Sequence, residues 1–151
     1  DKRGPLNYPA DRDHCIQYMV AVPLMHGRLR AADYEDDVAA DPRIDALREK
    51  MECVEDKQFS ADYLDPEKRS IANAVSVELS DGRRLEEVLV EYPIGHRRRR
   101  SEGIPLLEQK FRRNLARHFP ERQQGTILAA SLGLARLQKM PVHEYLDLYV
   151  L

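Results

Sequence analysis

Apolar residues near the start of the chain recur with helical spacing and predict a helix from Asp13 to His26. Its apolar positions lie around most of the circumference, which is typical of a helix buried on several sides. We expect Asp11 or Asp13 to cap its start and Gly27 to end it. Pro23 lacks a backbone N–H group, so it should kink or tighten the last turn.

A second helix is predicted where a capping residue is followed by proline. Asp41 and Pro42 form this start signal. The apolar residues that follow at spacings of three and four are Ile44, Leu47 and Met51. They indicate a short amphipathic helix. Residues 31–36 are expected to add a short helical turn, and residues 57–69, which are polar, to form a loop.

Alternating apolar and polar residues predict a β-hairpin with strands at 71–80 and 84–92. An Asp-Gly pair between them is a favoured hairpin turn. In the return strand, Leu85 is out of phase with Val88, which indicates a bulge near residues 86–87.

The last third of the chain has helical periodicity again. It predicts helices over residues 101–118, after Pro120 and from Pro141. The order of helices, hairpin and helices favours an α+β fold over an α/β fold. Because a lone hairpin is only marginally stable, we expect a further strand beside it, with Met51 to Glu55 as the candidate.

Composition and charge narrow the functional classes. The chain has 151 residues with a formal net charge of −2, so no global attraction to nucleic acid or membrane is expected. The longest apolar stretch, Tyr18 to Met25, is too short to span a bilayer. Cys15 and Cys53 are not spaced as metal ligands and predict reduced thiols in the cytoplasm. The opening residues lack an initiating methionine, which fits a start inside a longer protein as well as a tag or processing.

His14 is the first candidate for chemistry. At the start of a helix, free backbone N–H groups disfavour a charged imidazolium and can keep a neutral ring ready to accept a proton. Asp11 or Asp13 could orient the ring, and Arg12 could attract a substrate carboxylate. From spacing alone, a surface or capping histidine is the alternative.

Four consecutive arginines, Arg97 to Arg100, follow His96 beside a predicted helix start. Guanidinium groups pair bidentately with carboxylate or phosphate, so the run could bind a polyanion. The alternatives are a subunit or domain interface, and a solvated loop paired with nearby carboxylates. Those carboxylates are Glu86, Glu87, Glu91 and Glu102.

Other residues offer weaker signals. The remaining histidines have no metal-site spacing, and no HExxH or CxxC motif occurs. Cys53 is expected to be a core residue rather than a nucleophile. Tyr145 and Tyr149 are expected to pack within the last helix.

Several long segments resemble the C-terminal part of the MmgE/PrpD family, whose members include 2-methylcitrate dehydratases. They are DRDHCIQYMVA (11–21), AADYED (31–36), PEKRSIANA (66–74), EYPIGH (91–96) and PVHEYLDLYV (141–150). The resemblance covers essentially the whole chain, in order and without large gaps.

This resemblance implies a larger enzyme with an all-helical N-terminal domain and a smaller α+β lid. The implied reaction is the removal of water from 2-methylcitrate to give 2-methyl-cis-aconitate, in the methylcitrate cycle of propionate breakdown. The implied enzyme uses no cofactor, unlike aconitases with their iron–sulfur cluster. Relatives of the family act on chemically related substrates such as cis-aconitate.

The resemblance also implies roles for single residues. His14 matches a family histidine at the active site and is expected to transfer a proton. Gly95 and His96 match a recurrent family position. Substrate contact by Arg12, His96, Arg97 or Arg98 is the accompanying expectation. The arginines after His96 resemble the dehydratase branch rather than the family as a whole.

The implied domain division places a lid at residues 1–100, with the 101–118 helix packed on it. Residues 119–151 would dock onto the absent N-terminal helical domain. The expected partners are therefore a tricarboxylate and that missing domain, with a homo-oligomer such as a dimer left open. We expect the isolated chain to be inactive. The alternatives are a non-catalytic anion-binding or dimerisation domain, and a relative acting on citrate or cis-aconitate.

Overall fold

The computed structural model describes residues 4–151, and its internal contacts divide the chain between Lys57 and Gln58. We call residues up to 57 the first unit and residues 58–151 the second unit. The predicted division near residues 100 and 118 stays a prediction for the whole protein.

The first unit is built from short helices. In order they are α1 (Pro9–Arg12), α2 (Ile16–His26), a 3-10 turn (Ala31–Tyr34), α3 (Asp36–Ala39) and α4 (Pro42–Arg48). Its core brings α2 against α4, and its buried residues are Cys15, Tyr18, Ala21, Val22 and Ile44. This burial explains part of the apolar circumference predicted for α2, whereas Ile16 and Leu24 of the same helix are 52% and 62% exposed.

The start of α2 differs from the prediction. Pro9 begins a separate turn of helix, α1, and α2 starts only at Ile16 with Cys15 as its N-cap. The expected cap by Asp11 or Asp13 is therefore wrong. Asp11 accepts backbone N–H groups at the start of α1, and Asp13 is the residue that ends α1.

The other cap signals are confirmed. Gly27 ends α2 with a φ of 66°, a left-handed conformation that glycine adopts without a steric penalty. Asp41 caps α4, and its Oδ1 accepts the backbone N–H of Arg43 at 3.0 Å. The expected turn at residues 31–36 is found as the 3-10 turn and the first residue of α3.

The second unit combines a hairpin with a helical C-terminal half. Its first helix is α5 (Lys57–Leu64), whose first residue is the last residue of the first unit. The elements that follow are β1 (Asn73–Val75), β2 (Val88–Val90), a 3-10 turn (Arg97–Arg99), α6 (Arg100–Leu115), α7 (Glu121–Leu132), α8 (Leu134–Leu137) and α9 (Val142–Asp147). Helices α6, α7 and α9 confirm the three predicted C-terminal helices. Their core consists of Leu115, Ile127 and Leu128 with neighbouring aromatic side chains.

The hairpin is antiparallel, as predicted. Asn73 pairs with Val90 and Val75 with Val88, and a further bridge joins Glu78 to Arg84. Between the pairs Val75–Val88 and Glu78–Arg84, the first strand has two residues and the return strand has three. The return strand therefore carries an extra residue at 85–87. This confirms the predicted bulge.

Two local predictions are wrong, while the α+β class is confirmed. Residues 57–64 form helix α5 rather than a loop. Residues 51–55 adopt no strand, and Val54 is 81% exposed. Within residues 4–151 the sheet therefore has two strands. A short apolar run does not distinguish strand from coil without knowledge of its partner.

Candidate functional site

His14 lies in the turn between α1 and α2, one residue before the N-cap. It is therefore not in the first helical turn, where the sequence placed it. Its side chain is 76% exposed, so the ring is presented at the surface of the first unit. A histidine packed inward could not meet a substrate held elsewhere, and His14 satisfies this first requirement for a site residue.

The ring of His14 is held by two oxygen acceptors. Its Nδ1 lies 2.6 Å from Oδ1 of Asp13 and 3.1 Å from the carbonyl oxygen of Ala10. A carbonyl and an ionised carboxylate can only accept, so Nδ1 must carry the proton. In the neutral ring the lone pair then lies on Nε2. Of the two carboxylates expected to orient the ring, Asp13 does so.

Arg12 is directed into the first unit. It is 4% exposed, donates to the carbonyl oxygen of Tyr34 at 2.6 Å, and forms an ion pair with Asp36 at 2.7 Å. Weaker contacts of 3.4 Å reach the carbonyl oxygens of Leu6 and Asn7. These contacts favour a role in tying the loops of the unit together. The predicted contact with substrate stays a prediction, with no support from this geometry.

The arginine run of the second unit is partly engaged by the fold. Arg98 donates to the hydroxyl of Tyr92 at 3.0 Å and lies over its ring, with 4.8 Å between Cζ and the centroid. It also donates to the carbonyl oxygen of Glu67. Arg99 forms an ion pair with Glu102 at 2.7 Å. Of the four carboxylates expected to pair with the run, Glu102 does so.

His96 is the cap of the 3-10 turn that carries these arginines. Its Nδ1 accepts the backbone N–H of Arg98 at 3.2 Å, and its ring lies 4.7 Å from that of Tyr92. Because Nδ1 is the acceptor, Nε2 carries the proton of the neutral ring. In its neutral form, His96 therefore has an N–H donor at Nε2, whereas His14 has an acceptor lone pair at Nε2.

A cleft of about 620 Å³ in the second unit brings His96 and Arg97 together with Arg69 and Ser70. Arg69 has a φ of 49°, an uncommon backbone conformation for a residue with a side chain. The sequence analysis did not assign a role to Arg69 or Ser70. Both lie within the 66–74 segment, but neither the φ of Arg69 nor the burial of Ser70 has a signature in sequence.

One rim of this cleft is fixed by a close backbone approach. Gly103, buried in α6, lies so near residue 94 that a Cβ atom would be 2.3 Å from the carbonyl oxygen of Ile94. Only glycine fits at such a distance. The contact sets the position of the segment that leads into His96 and Arg97.

Two kinds of feature are absent from residues 4–151. No group of three or more histidine, cysteine, aspartate or glutamate residues is arranged to hold a metal ion. No helix in this part of the chain combines the length and apolar character that a membrane span requires.

A family model decides the affiliation of the chain. The model described as the MmgE/PrpD C-terminal domain matches residues 1–135. The chain belongs to the MmgE/PrpD C-terminal domain family. The resemblance found in the sequence is thereby confirmed.

Curated members of the MmgE/PrpD family match over the whole chain. It is 70% identical over 151 residues to a 2-methylcitrate dehydratase of Escherichia coli (strain K12), and also to that of Salmonella typhimurium (strain LT2). It is 61% identical over 150 residues to a mitochondrial 2-methylcitrate dehydratase of Yarrowia lipolytica. In the two bacterial comparisons, all of this chain aligns with 31% of the relative's length. In the comparison with the Yarrowia protein, 99% of this chain aligns with 28% of the relative's length. The chain thus spans about a third of the length of these relatives.

Proposed function

We propose that this chain is the C-terminal part of a 2-methylcitrate dehydratase, a hydro-lyase of the methylcitrate cycle of propionate breakdown. The observation that carries the proposal is the 70% identity to proteins of that name over all 151 residues. The full-length protein converts 2-methylcitrate to 2-methyl-cis-aconitate. Its substrate is a tricarboxylate, and the part of the protein that precedes this chain completes the site.

In this proposal His14 moves a proton. Elimination of water requires a base to take the proton next to a carboxylate, and an acid to protonate the departing hydroxide. The electron pair of the broken C–H bond forms the double bond, and the hydroxide leaves with the electrons of the C–O bond. The lone pair on Nε2 supports His14 as the base. Asp13 then stabilises the imidazolium that forms.

The proposed partner of the chain is the remainder of the same protein. Apolar residues on the hairpin support this, since Val88 is 62% exposed and its neighbours Leu89 and Val90 are also exposed. Val88 and Val90 share one face of β2 and Leu89 lies on the other. Exposed apolar residues of this kind are typical of surfaces that are covered in the complete molecule. The remaining carboxylate-binding groups belong to that covering part, and the isolated chain is inactive. A cytoplasmic location belongs to the proposal as well, and a homo-oligomer such as a dimer stays a prediction.

The test is the replacement of His14 in the full-length protein. For His14→Gln and His14→Ala we expect turnover of 2-methylcitrate to fall by roughly a hundred- to ten-thousand-fold, the usual contribution of a positioned acid or base. His143→Gln, an exposed histidine of α9, is the matched control and should keep full activity. A loss below about threefold for both His14 variants removes His14 from the mechanism.

The same kinetics test the substrate. The wild-type protein should have a higher kcat/KM for 2-methylcitrate than for citrate or cis-aconitate. A reversed order assigns the chain to a relative with another substrate, even when His14 is essential.

A further inference from the structure

The cleft of the second unit carries positive charge that the fold does not neutralise. The side chains of Arg69 and Arg97 form no ion pair and no hydrogen bond with residues 4–151, although both line the cleft. Their neighbour Lys68 differs, because it is paired with Asp62 at 2.7 Å. Two exposed guanidinium groups beside one concave surface repel each other unless an anion lies between or near them.

The cleft also contains a buried hydroxyl that lacks a partner. Ser70 lines the cleft and is 0% exposed, and its Oγ makes no hydrogen bond within the described part of the chain. Buried hydroxyl groups are nearly always hydrogen-bonded, because an unsatisfied one loses its interaction with water without compensation. Because Ser70 is fully covered, an acceptor oxygen in the cleft reaches its hydroxyl, and satisfies it, only when the side chains above it move aside.

The backbone beside Ser70 also has a feature that is typical of binding sites. Arg69 has a φ of 49°, although it is not a glycine. Residues in sparsely populated conformations persist where their surroundings hold them, and they occur preferentially at binding and catalytic sites. The turn is held by backbone hydrogen bonds from Arg69 to Asp65 at 2.8 Å and from Ser70 to Asp62 at 3.3 Å. It places Arg69 on the exposed rim and Ser70 at the buried base.

The walls of the cleft indicate which anion fits. Besides the polar residues, Tyr63, Leu64, Ile71 and Pro93 line it. A carbon skeleton can pack against such walls, whereas a bare inorganic anion cannot use them. Guanidinium forks match the two oxygens of a carboxylate. A volume of about 620 Å³ is within the usual range for sites of small organic ligands.

We propose that this cleft binds a small organic carboxylate, which Arg97 and Arg69 hold by its charge while Ser70 hydrogen-bonds to it at the base. The proton on Nε2 of His96 provides a further donor. The carboxylate is either the substrate of the full-length protein or a separate effector, and both have the chemistry that the cleft recognises. Binding is measured directly, so the proposal does not depend on the dehydratase activity or on His14.

The test uses the full-length protein and citrate as the probe, with titration calorimetry at a fixed salt concentration. Arg97→Gln removes one of the two unpaired positive charges that line the cleft. Arg100→Gln is the matched control, because Arg100 belongs to the same run but does not line the cleft. We expect Arg97→Gln to weaken citrate binding by about tenfold or more relative to Arg100→Gln. Affinities within about twofold of each other overturn the proposal.

Ser70→Ala provides a second variant that should not disturb folding. It removes a hydroxyl that has no partner in the described structure, so the thermal midpoint should not fall, while citrate should bind several-fold more weakly. Inorganic phosphate tests the ligand class. If phosphate binds as tightly as citrate to the wild-type protein and loses as much affinity in Arg97→Gln, the carboxylate assignment is overturned.

The two sources of the carboxylate are distinguished by kinetics on the same variants. If the cleft holds the substrate, Arg97→Gln raises KM for 2-methylcitrate in proportion to the loss of citrate binding. If it holds an effector, turnover in the absence of citrate is unchanged, and only the response to added citrate disappears. Either result supports a carboxylate site in the cleft.

Discussion

Oδ1 of Asp13 lies 2.6 Å from Nδ1 of His14, the residue that follows it in the chain. Since the two are adjacent in the turn between α1 and α2, their contact does not depend on any distant part of the chain. The carboxylate therefore fixes both the orientation and the tautomer of the ring before a substrate arrives.

Replacement of Asp13 should impair the reaction without impairing the fold. Asp13→Asn keeps the size of the side chain but lacks the charge that stabilises an imidazolium, so we expect turnover to fall by roughly tenfold or more with little change in KM. Steady-state kinetics on the full-length protein measure this. Asp37→Asn, an exposed aspartate of α3, is the control. Equal turnover of the two variants would show that Asp13 does not assist His14.

Tyr18 should be required for stability of the first unit. Its hydroxyl donates to the carbonyl oxygen of Asp33 at 2.6 Å, and both residues are buried. Tyr18→Phe leaves that carbonyl without its partner, which should lower the free energy of unfolding by about 1–3 kcal/mol. Denaturant unfolding measures the loss. Tyr63→Phe, an exposed tyrosine, should change it by less than about 0.5 kcal/mol. A loss no larger than the control's would contradict the assignment.

The cap of α4 should be sensitive to acid. Hydrogen bonds from Arg43 lower the pKa of the Asp41 carboxyl from 3.8 to about 2. The larger effect comes from the side chain of Arg43 and the smaller one from its backbone N–H. A lowered folded-state pKa means that the stabilisation is complete above about pH 3.8 and is lost as the pH falls toward 2.

Asp41→Asn is the variant that isolates this contribution, because asparagine still caps a helix but does not titrate. The thermal midpoint of the wild type should exceed that of the variant by a constant amount at neutral pH, and the difference should shrink below about pH 3.8. A difference that stays constant down to pH 2 would rule out titration of Asp41 as its cause.

Signals carried by neighbouring residues were sufficient for much of the fold. Asp41 followed by Pro42 predicts a helix start because the cap bond spans two residues, and Gly27 predicts a helix end because its φ is local. The bulge at residues 85–87 was predictable from the phase of apolar residues along one strand. None of these features depends on a distant partner.

Features that depend on distant residues were missed. The burial of Arg12 has no signature in the sequence, because it depends on a carbonyl oxygen 22 residues away. Helix α5 is a different case, because its hydrogen bonds from Gln58 and Lys68 to Asp62 are local, and the polar character of residues 57–69 still predicts a loop there. For the candidate site, the sequence identified His14 and His96 but gave no sign of the unsatisfied hydroxyl of Ser70.

The absence of a side chain at position 103 has a consequence for the shape of the cleft. Even one methyl group there would drive α6 and residue 94 apart, and the loop bearing His96 would swing with them. A mutation at Gly103 would thus reshape the mouth of the cleft without altering any residue that lines it. The shape of the cleft therefore depends on a glycine that does not line it.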